Sequence, residues 1–549
     1  MVKILVDGKE FEVEDNIKVS DFLNLHKFET ESPIMGVLIN NVQRSLTHEI
    51  KRDSELRFIT YKDLEGEKIY RRSLLFLFVK VCEELYPESN VVVSHSINQG
   101  VYCELRNCSH MINEELRALI DDRMRELVAA KLPFIKRKVP KEEAIKMYKT
   151  FDQPDKIGIL DAYENDIVTI YSCGNFNNYF FGYMLPDTSY LTMFEIRLYE
   201  GGFLIRYPKR GNFNELPPYV DQKKLFNIFR EFKTWNRILN VENVSMLNKV
   251  IEDGHVDVCI RVAEALQEKK YAGIADQIKE NPDKKIILLA GPSSSGKTTS
   301  SHRIAIQLLV NGIKPAIIGL DDYFVNRDRT PIGEDGKHDF ESLYAIDLEL
   351  FNEHLQKLLA GEEIEVPKFN FVEGKREPTG RKLKLLPDQV IIFEGIHALN
   401  EKLTESIPRD KKFKIYVSSL TSINIDDHNV VRTTDARLLR RMVRDYQFRG
   451  HTPERTLELW NAVVRGEEKN IFPFQEDADA MFNSAMIYEI GVLKGFAKPL
   501  LEKIEETSPY YIYARRMLDL LQYFEVINPE NVPQNSIIRE FIGGSCFDL

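Results

Sequence analysis

The stretch 285–299, KIILLAGPSSSGKTT, constrains this chain more than any other. Ile286–Ala290 is a short apolar run of the kind buried inside a parallel sheet. It leads directly into Gly291, Pro292, Ser293, Ser294, Ser295, Gly296, Lys297 and Thr298, which fit G-x-x-x-x-G-K-[ST], and residues 299–309 carry apolar positions at helical spacing. Strand, loop and helix are therefore predicted in the order the motif requires. The glycines let the N–H groups of the serine-rich loop approach phosphate oxygens, and the helix start at Thr298 and Thr299 adds partial positive charge. Lys297 would reach the β- and γ-phosphates, and the Thr298 hydroxyl would ligate Mg²⁺. The pattern implies a bound nucleoside triphosphate.

At 549 residues the chain exceeds what one hydrophobic core organises, so three or so domains are expected. A hydrophobic content of 43% with 29% charged residues is that of a soluble globular protein. The net charge of −11 argues against nonspecific polyanion binding by the whole molecule, while leaving room for a local basic patch. Six cysteines form no framework and suit a reducing compartment. Cys103, Cys108 and His110 lie close together, yet no second ligand pair follows, so buried thiols are expected and not zinc. The N-terminus lacks the features of a signal peptide, and the most apolar window, 73–81, is too short to span a bilayer. These features predict a soluble, cytoplasmic protein with no membrane partner.

Residues 1–61 read as a small strand-rich module. Val2–Val6 and 10–13 are extended runs around the turn Asp7-Gly8, a helix follows from about Val19 with Ser20 or Asp21 as its cap, and 36–39 and 56–60 read as further strands. This order, with VLINN midway and LRFIT at the end, resembles the β-grasp TGS domain at the N-terminus of threonyl-tRNA synthetases. Over 62–233 the segments YRRSLLFLFVKVCEELYP, INEELRALIDDRMRELVAAKLPF and YFFGYMLP resemble the α+β second accessory domain of the same synthetases. That resemblance places Arg72, Phe76, Phe180 and Met184 where the editing enzymes carry a His-x-x-x-His and Cys-x-x-x-His set. Two phenylalanines and a methionine cannot hold a metal or activate water. The resemblance thus implies a catalytically dead relative, kept for binding, regulation or assembly. Residues 234–283 read as a helical connector, from apolar spacing at 241–250 and 256–268.

Over 284–505 further segments carry chemistry. The strand-like run 315–320 ends in Asp321-Asp322-Tyr323-Phe324, which sets a carboxylate at the crevice where open α/β sheets bind ligands and where an acceptor hydroxyl needs a base. VIIFEG at 390–395 delivers Glu394 at a strand end, suited to Mg²⁺. HDFESLYAID at 338–347 opens a helix, and VPKFNFVEGKR at 366–376 mixes rings and polar groups, suited to stacking a planar base. DARLLRRMVRDYQFR at 435–449 is a basic helix whose arginines occupy more than one face, read as a mobile lid that closes over phosphates.

In this order the motifs GPSSSGKT, LDDYF, DFES–AID, VPKFNF, VIIFEG, RLLRRMVRD–RG and ADAMFNSAMIYE resemble the uridine kinase/phosphoribulokinase family of P-loop kinases. The resemblance implies an α/β core with a parallel sheet, ATP and Mg²⁺ as cofactors, and a nucleoside as the small-molecule acceptor. It further implies Asp321 as general base, with Lys297 and the lid arginines stabilising charge. Gly291, Ser293, Ser294, Ser295, Gly296, Lys297, Thr298, Thr299 and Arg449 would hold the nucleotide, and Thr298 and Glu394 the metal. Tyr323, Glu341, Phe369 and Arg441 would contact the acceptor, with Arg441, Arg444 and Arg449 as phosphate clamp. Two departures bear on specificity: Gly374 stands where uridine kinases carry a base-reading His, and His451 stands where an Arg of the lid is expected. A sugar-phosphate acceptor is the first alternative and an ATP-switched RNA- or ribosome-associated regulator the second; homo-oligomerisation stays open. The tail, 506–549, begins with a helix whose apolar side includes Ile512, Met517, Leu520, Leu521 and Phe524, expected to pack on the kinase core or a neighbouring subunit.

Overall fold

Five parallel strands carry the phosphate loop, in spatial order Lys314–Gly319, Gln389–Glu394, Ile286–Ala290, Lys412–Ser418 and Ala480–Asn483. The central strand is buried at every residue, which is why it reads as a continuous apolar run instead of an alternating one. Leu289 and Gly319 both pair with Glu394, so three strands finish level and present their ends to one crevice. The computed structural model describes residues 1–549 apart from 164, 334, 335, 372, 422, 548 and 549. Of the ring-bearing segment 366–376, Val372 thus lies outside the described residues, as do the last two positions of the tail.

At the N-terminus a five-stranded sheet runs Lys9–Val13, Val2–Val6, Ser54–Thr60, Ile34–Ile39 and Val42–Arg44. Asp7 and Gly8 both take positive φ, 48° and 78°, as a two-residue hairpin of right-handed strands requires. The helix Val19–His26 starts one residue earlier than its polar residues suggest. Lys18 is the N-cap without a side-chain bond, and Ser20 and Asp21 lie inside the first turn. The long helix Leu64–Leu85 is buried on most of its circumference and lies between this sheet and a four-stranded antiparallel sheet, Glu195–Tyr199, Gly202–Arg206, Gly100–Arg106 and Asn90–Ile97. Cys103 is buried in that sheet, and among the described residues no three His, Cys, Asp or Glu side chains are grouped to hold a metal ion.

The basic helix is Thr433–Phe448, and it corrects the lid reading. Arg437 and Arg440 are 1% and 0% exposed, and the helix is buried from Asp435 to Val443, so it is a core element that cannot swing as a unit. Only residues 446–450 at its end are exposed. The segment 338–347 does lead into a helix: after a 3₁₀ turn at Leu343–Ala345, Asp347 caps the helix Leu348–Leu359 through Leu350 N–H at 3.1 Å. The tail packs within its own chain. Met517, Leu520 and Leu521 of Tyr511–Leu521 join the core cluster of Glu489–Leu501, and the short helix Arg539–Ile542 sets Phe541 against the Arg440 guanidinium at 5.0 Å. Among the described residues no helix is long and apolar enough to cross a membrane.

Candidate active site

The loop is built by close packing at its two glycines. A Cβ on Gly291 would lie 2.0 Å from the Val417 carbonyl oxygen, and Gly296, at φ +80°, would place one 2.3 Å from Ile537. The helix Lys297–Val310 begins at the next residue, so its first N–H groups point into the crevice. Among the described residues the buried hydroxyls of Ser294 and Ser295 have no hydrogen-bond partner, as suits groups that await phosphate oxygens. The Thr298 hydroxyl donates to Glu394 at 3.2 Å. Two neighbouring ligands of an octahedral Mg²⁺ at about 2.1 Å stand about 3 Å apart, so this oxygen pair fits one such ion.

Around Lys297 stand carboxylates from separate segments. Asp321 is open to solvent at the crevice, but the surrounding protein thins its hydration and raises its carboxyl above the usual range, against the pull of Lys297. Burial pushes Glu394 up to about 7, again opposed by Lys297. Burial, then repulsion from Glu467, pushes Glu341 up to about 7, opposed by Arg441 and Lys297. Asp321 and Glu341 thus both feel Lys297, and Glu341 also feels Asp321 and Arg441, as groups around one reaction centre do. The second aspartate has a different duty: Asp322 accepts from the Phe369 backbone N–H at 3.3 Å and so anchors the neighbouring strand.

The arginines divide into two sets. Arg437 donates to the Ser293 carbonyl at 2.9 Å, Arg440 to the Ser294 carbonyl at 3.3 Å, and Arg441 to the Ser293 hydroxyl at 2.8 Å, so they brace the loop itself. Asp445, fully buried, gathers Arg441, Arg444 and Arg449 at 3.1, 3.3 and 3.4 Å. Burial, then the charge of Arg449, brings Arg444 down to about 10, so a phosphate at this spot relieves an existing repulsion.

Two expected contacts sit elsewhere. Tyr323 is 0% exposed, and its hydroxyl shares a hydrogen bond with His354 at 3.0 Å, so it belongs to the core behind the crevice. Phe369 is 4% exposed and packs edge-on against Phe324 and Phe371; of these rings Phe371, at 57%, is the one open to a ligand. At Gly374 a Cβ would meet the Arg327 side chain at 2.7 Å, and Arg327 donates to the Phe371 carbonyl at 2.7 Å. A guanidinium thus packs against the position of the missing histidine.

Sequence reasoning missed two residues that touch the loop. Glu467, buried, accepts from the Ser293 N–H at 2.9 Å and pairs with Arg437. Glu540, in the tail, accepts from Thr299. Neither lies in a motif, and each arrives from a helix distant in sequence. The pattern ADAMFNSAMIYE instead supplies Glu489, the partner of Arg440.

Residues 286–490 match the model of the Phosphoribulokinase / Uridine kinase family. This part of the chain is similar to the P-loop kinases of that family. The N-terminal region is similar to threonine–tRNA ligases. The chain is 30% identical over 200 residues to that of Clostridium tetani, covering 36% of this chain and 31% of that protein. It is 30% identical over 159 residues to that of Methylococcus capsulatus, covering 29% and 25%. The chain spans about a third or less of the length of these curated relatives. Among solved structures it is similar to a possible uridine kinase from Bacillus stearothermophilus, at 19% identity and a TM-score of 0.24, over 36% of this chain and 88% of that one. It is also similar to D-glycerate 3-kinase from Cryptococcus neoformans, at 13% identity and a TM-score of 0.23, over 46% and 87%.

Proposed function

We propose that this chain is an ATP- and Mg²⁺-dependent kinase that transfers the γ-phosphoryl group to the 5′-hydroxyl of a nucleoside. The observation that carries this reading is the placement of Asp321, solvent-accessible, beside Lys297 at the level strand ends that hold Glu394. A carboxylate so placed takes the acceptor proton as the acceptor oxygen bonds to the γ-phosphorus and the bond to the ADP oxygen breaks. Lys297, Arg441 and Arg444 oppose the charge that spreads over the phosphoryl oxygens. Thr298 and Glu394 would hold Mg²⁺, which when bound would supply further neutralisation of phosphate charge. Glu341, on the same crevice, is placed to accept from the acceptor's hydroxyls.

A sugar-phosphate acceptor is the second reading, and a specific observation favours it. Phe369 is buried and Arg327 packs at Gly374, so this wall offers a cation where base recognition would want a neutral donor and acceptor. The test is ADP release from Mg²⁺ and ATP with the common ribo- and deoxyribonucleosides beside ribulose 5-phosphate. Turnover with a nucleoside supports the first reading, and turnover with the sugar phosphate alone replaces it with the second. Hydrolysis that needs no acceptor and rises with RNA would overturn both in favour of an RNA-linked ATP switch.

A further inference from the structure

A cavity of about 480 Å³ lies far from the phosphate loop in sequence, where three parts of the chain meet: strand Val42–Arg44, the 179–183 segment with strand Ile135–Pro140, and helix Tyr511–Leu521. Its size is that of a small-molecule site. One wall is cationic and converges on a single tyrosine. Arg44 donates to the Tyr183 hydroxyl at 3.4 Å, Arg72 donates to the Tyr183 carbonyl at 2.5 Å, and the Lys136 ammonium lies 4.2 Å from the centre of the Tyr183 ring. Among the described residues none of these three cations forms an ion pair. Other charges that line the cavity are matched: Arg516 with Glu65 at 3.3 Å and Arg515 with Asp519 at 3.1 Å.

Three unmatched cations crowded together are costly unless an anion joins them. Lys136 reaches solvent, yet the surrounding protein thins its hydration, and that and then the charges of Lys138, Arg44 and Arg72 bring the ammonium down to about 8, against the pull of Asp519. Arg72 is brought down to about 10, chiefly by burial. In a chain of net charge −11, such a wall is not the by-product of a basic surface. The half-buried rings of Tyr163 and Tyr511 line the same cavity. Arginine, lysine and tyrosine rings around one cavity are the groups that recognise a phosphate ester carrying a planar ring.

We propose that this cavity binds a nucleoside monophosphate, with the phosphate on Arg44, Arg72 and Lys136 and the base against Tyr163 or Tyr511. The site is separate from the kinase crevice and does not depend on which hydroxyl that crevice phosphorylates. It also has a physical route to it. Arg516 lines the cavity and pairs with Asp435 at 2.5 Å, in the first turn of the helix whose later arginines brace the phosphate loop.

The test is photolabelling of the full-length protein with 8-azido-AMP while a non-hydrolysable ATP analogue with Mg²⁺ fills the phosphate loop, followed by peptide mapping. Label is expected on peptides that contain Tyr163, Tyr183 or Tyr511, at least tenfold weaker in Lys136→Met and in Arg44→Met. Both side chains reach solvent, so melting temperatures close to that of the parent protein are expected to confirm that each variant is folded. If Arg44→Met melts early, Lys136→Met alone decides. Label confined to kinase-crevice peptides would overturn the proposal. So would cavity label that is indifferent to loss of the cations, or capture of a single-stranded RNA probe with no labelling by the mononucleotide.

Discussion

The Glu540 carboxylate accepts hydrogen bonds from both the backbone N–H of Thr299, at 3.2 Å, and its hydroxyl, at 2.8 Å. Thr299 sits in the first turn of the helix that follows the loop, so a negative group from the tail already occupies part of the anion-binding end. Ile537, three residues earlier, lies against Gly296, so this turn of the tail packs directly on the loop. Glu540 therefore competes with nucleotide phosphate for Thr299. Glu540→Gln is expected to lower the KM for ATP about five- to thirtyfold, the range that about 1–2 kcal/mol at a helix terminus gives. Steady-state kinetics at varied ATP check it, and a KM that rises would show that Glu540 assists binding instead.

Asp321→Asn is expected to reduce kcat by about 10²- to 10⁴-fold, with the KM for ATP changed less than threefold. Among the described residues no hydrogen bond joins this carboxylate to the loop's N–H groups, so its loss touches proton transfer more than nucleotide binding. Initial rates with the best acceptor decide this, and an unchanged kcat would remove Asp321 from the reaction.

A buried ion network joins the N-terminal region to the kinase and the tail. Lys68 pairs with Glu65 at 2.7 Å, Arg516 with Glu65 at 3.3 Å, and Arg516 with Asp435 at 2.5 Å. Coulomb attraction overcomes burial here: Glu65 and Asp435 are both held down at about 2. Arg516→Ala leaves two buried carboxylates short of a cation, at a cost of about 3–5 kcal/mol. Thermal unfolding is expected to show a lower first transition, one that Arg516→Lys partly restores.

Much of the geometry of the candidate site was legible because it is local. A strand, a glycine-rich loop and a helix start lie within fifteen consecutive residues, and their geometry follows from backbone preferences alone. The strand-end carboxylates Asp321 and Glu394 were legible for the same reason, since apolar runs announce the strands. What could not be read was burial around charge. The arginines of Thr433–Phe448 have the composition of a solvated helix, yet Arg437 and Arg440 find Glu467 and Glu489 from distant segments and sink into the core. Tyr323 was misplaced because the 3₁₀ turn Leu320–Tyr323 that follows the strand turns its ring inward, and Phe369 because a ring's alternation in the three-residue strand Lys368–Asn370 does not say which face is the crevice. Glu540 was missed because the tail's return to the loop is a tertiary event with no motif.

Glu341 gives the site a pH dependence of stability opposite to that of a salt-bridged carboxylate. Its folded-state pKa is about 7, above the ordinary value of 4.5, because burial and Glu467 disfavour its charge. The folded protein thus holds this proton more tightly than the unfolded chain between those two values. Stability from this group is full below about pH 4.5 and is lost as pH rises through about 7. In Glu341→Gln that loss disappears. The variant, compared with the parent protein, is expected to gain in melting temperature on going from pH 5 to pH 8, by several degrees if about 1–3 kcal/mol is recovered. Scans at the two pH values check it. A gap between variant and parent that is equal at both would mean that the Glu341 proton is not held by the fold, and that Arg441 and Lys297 already keep the carboxylate charged.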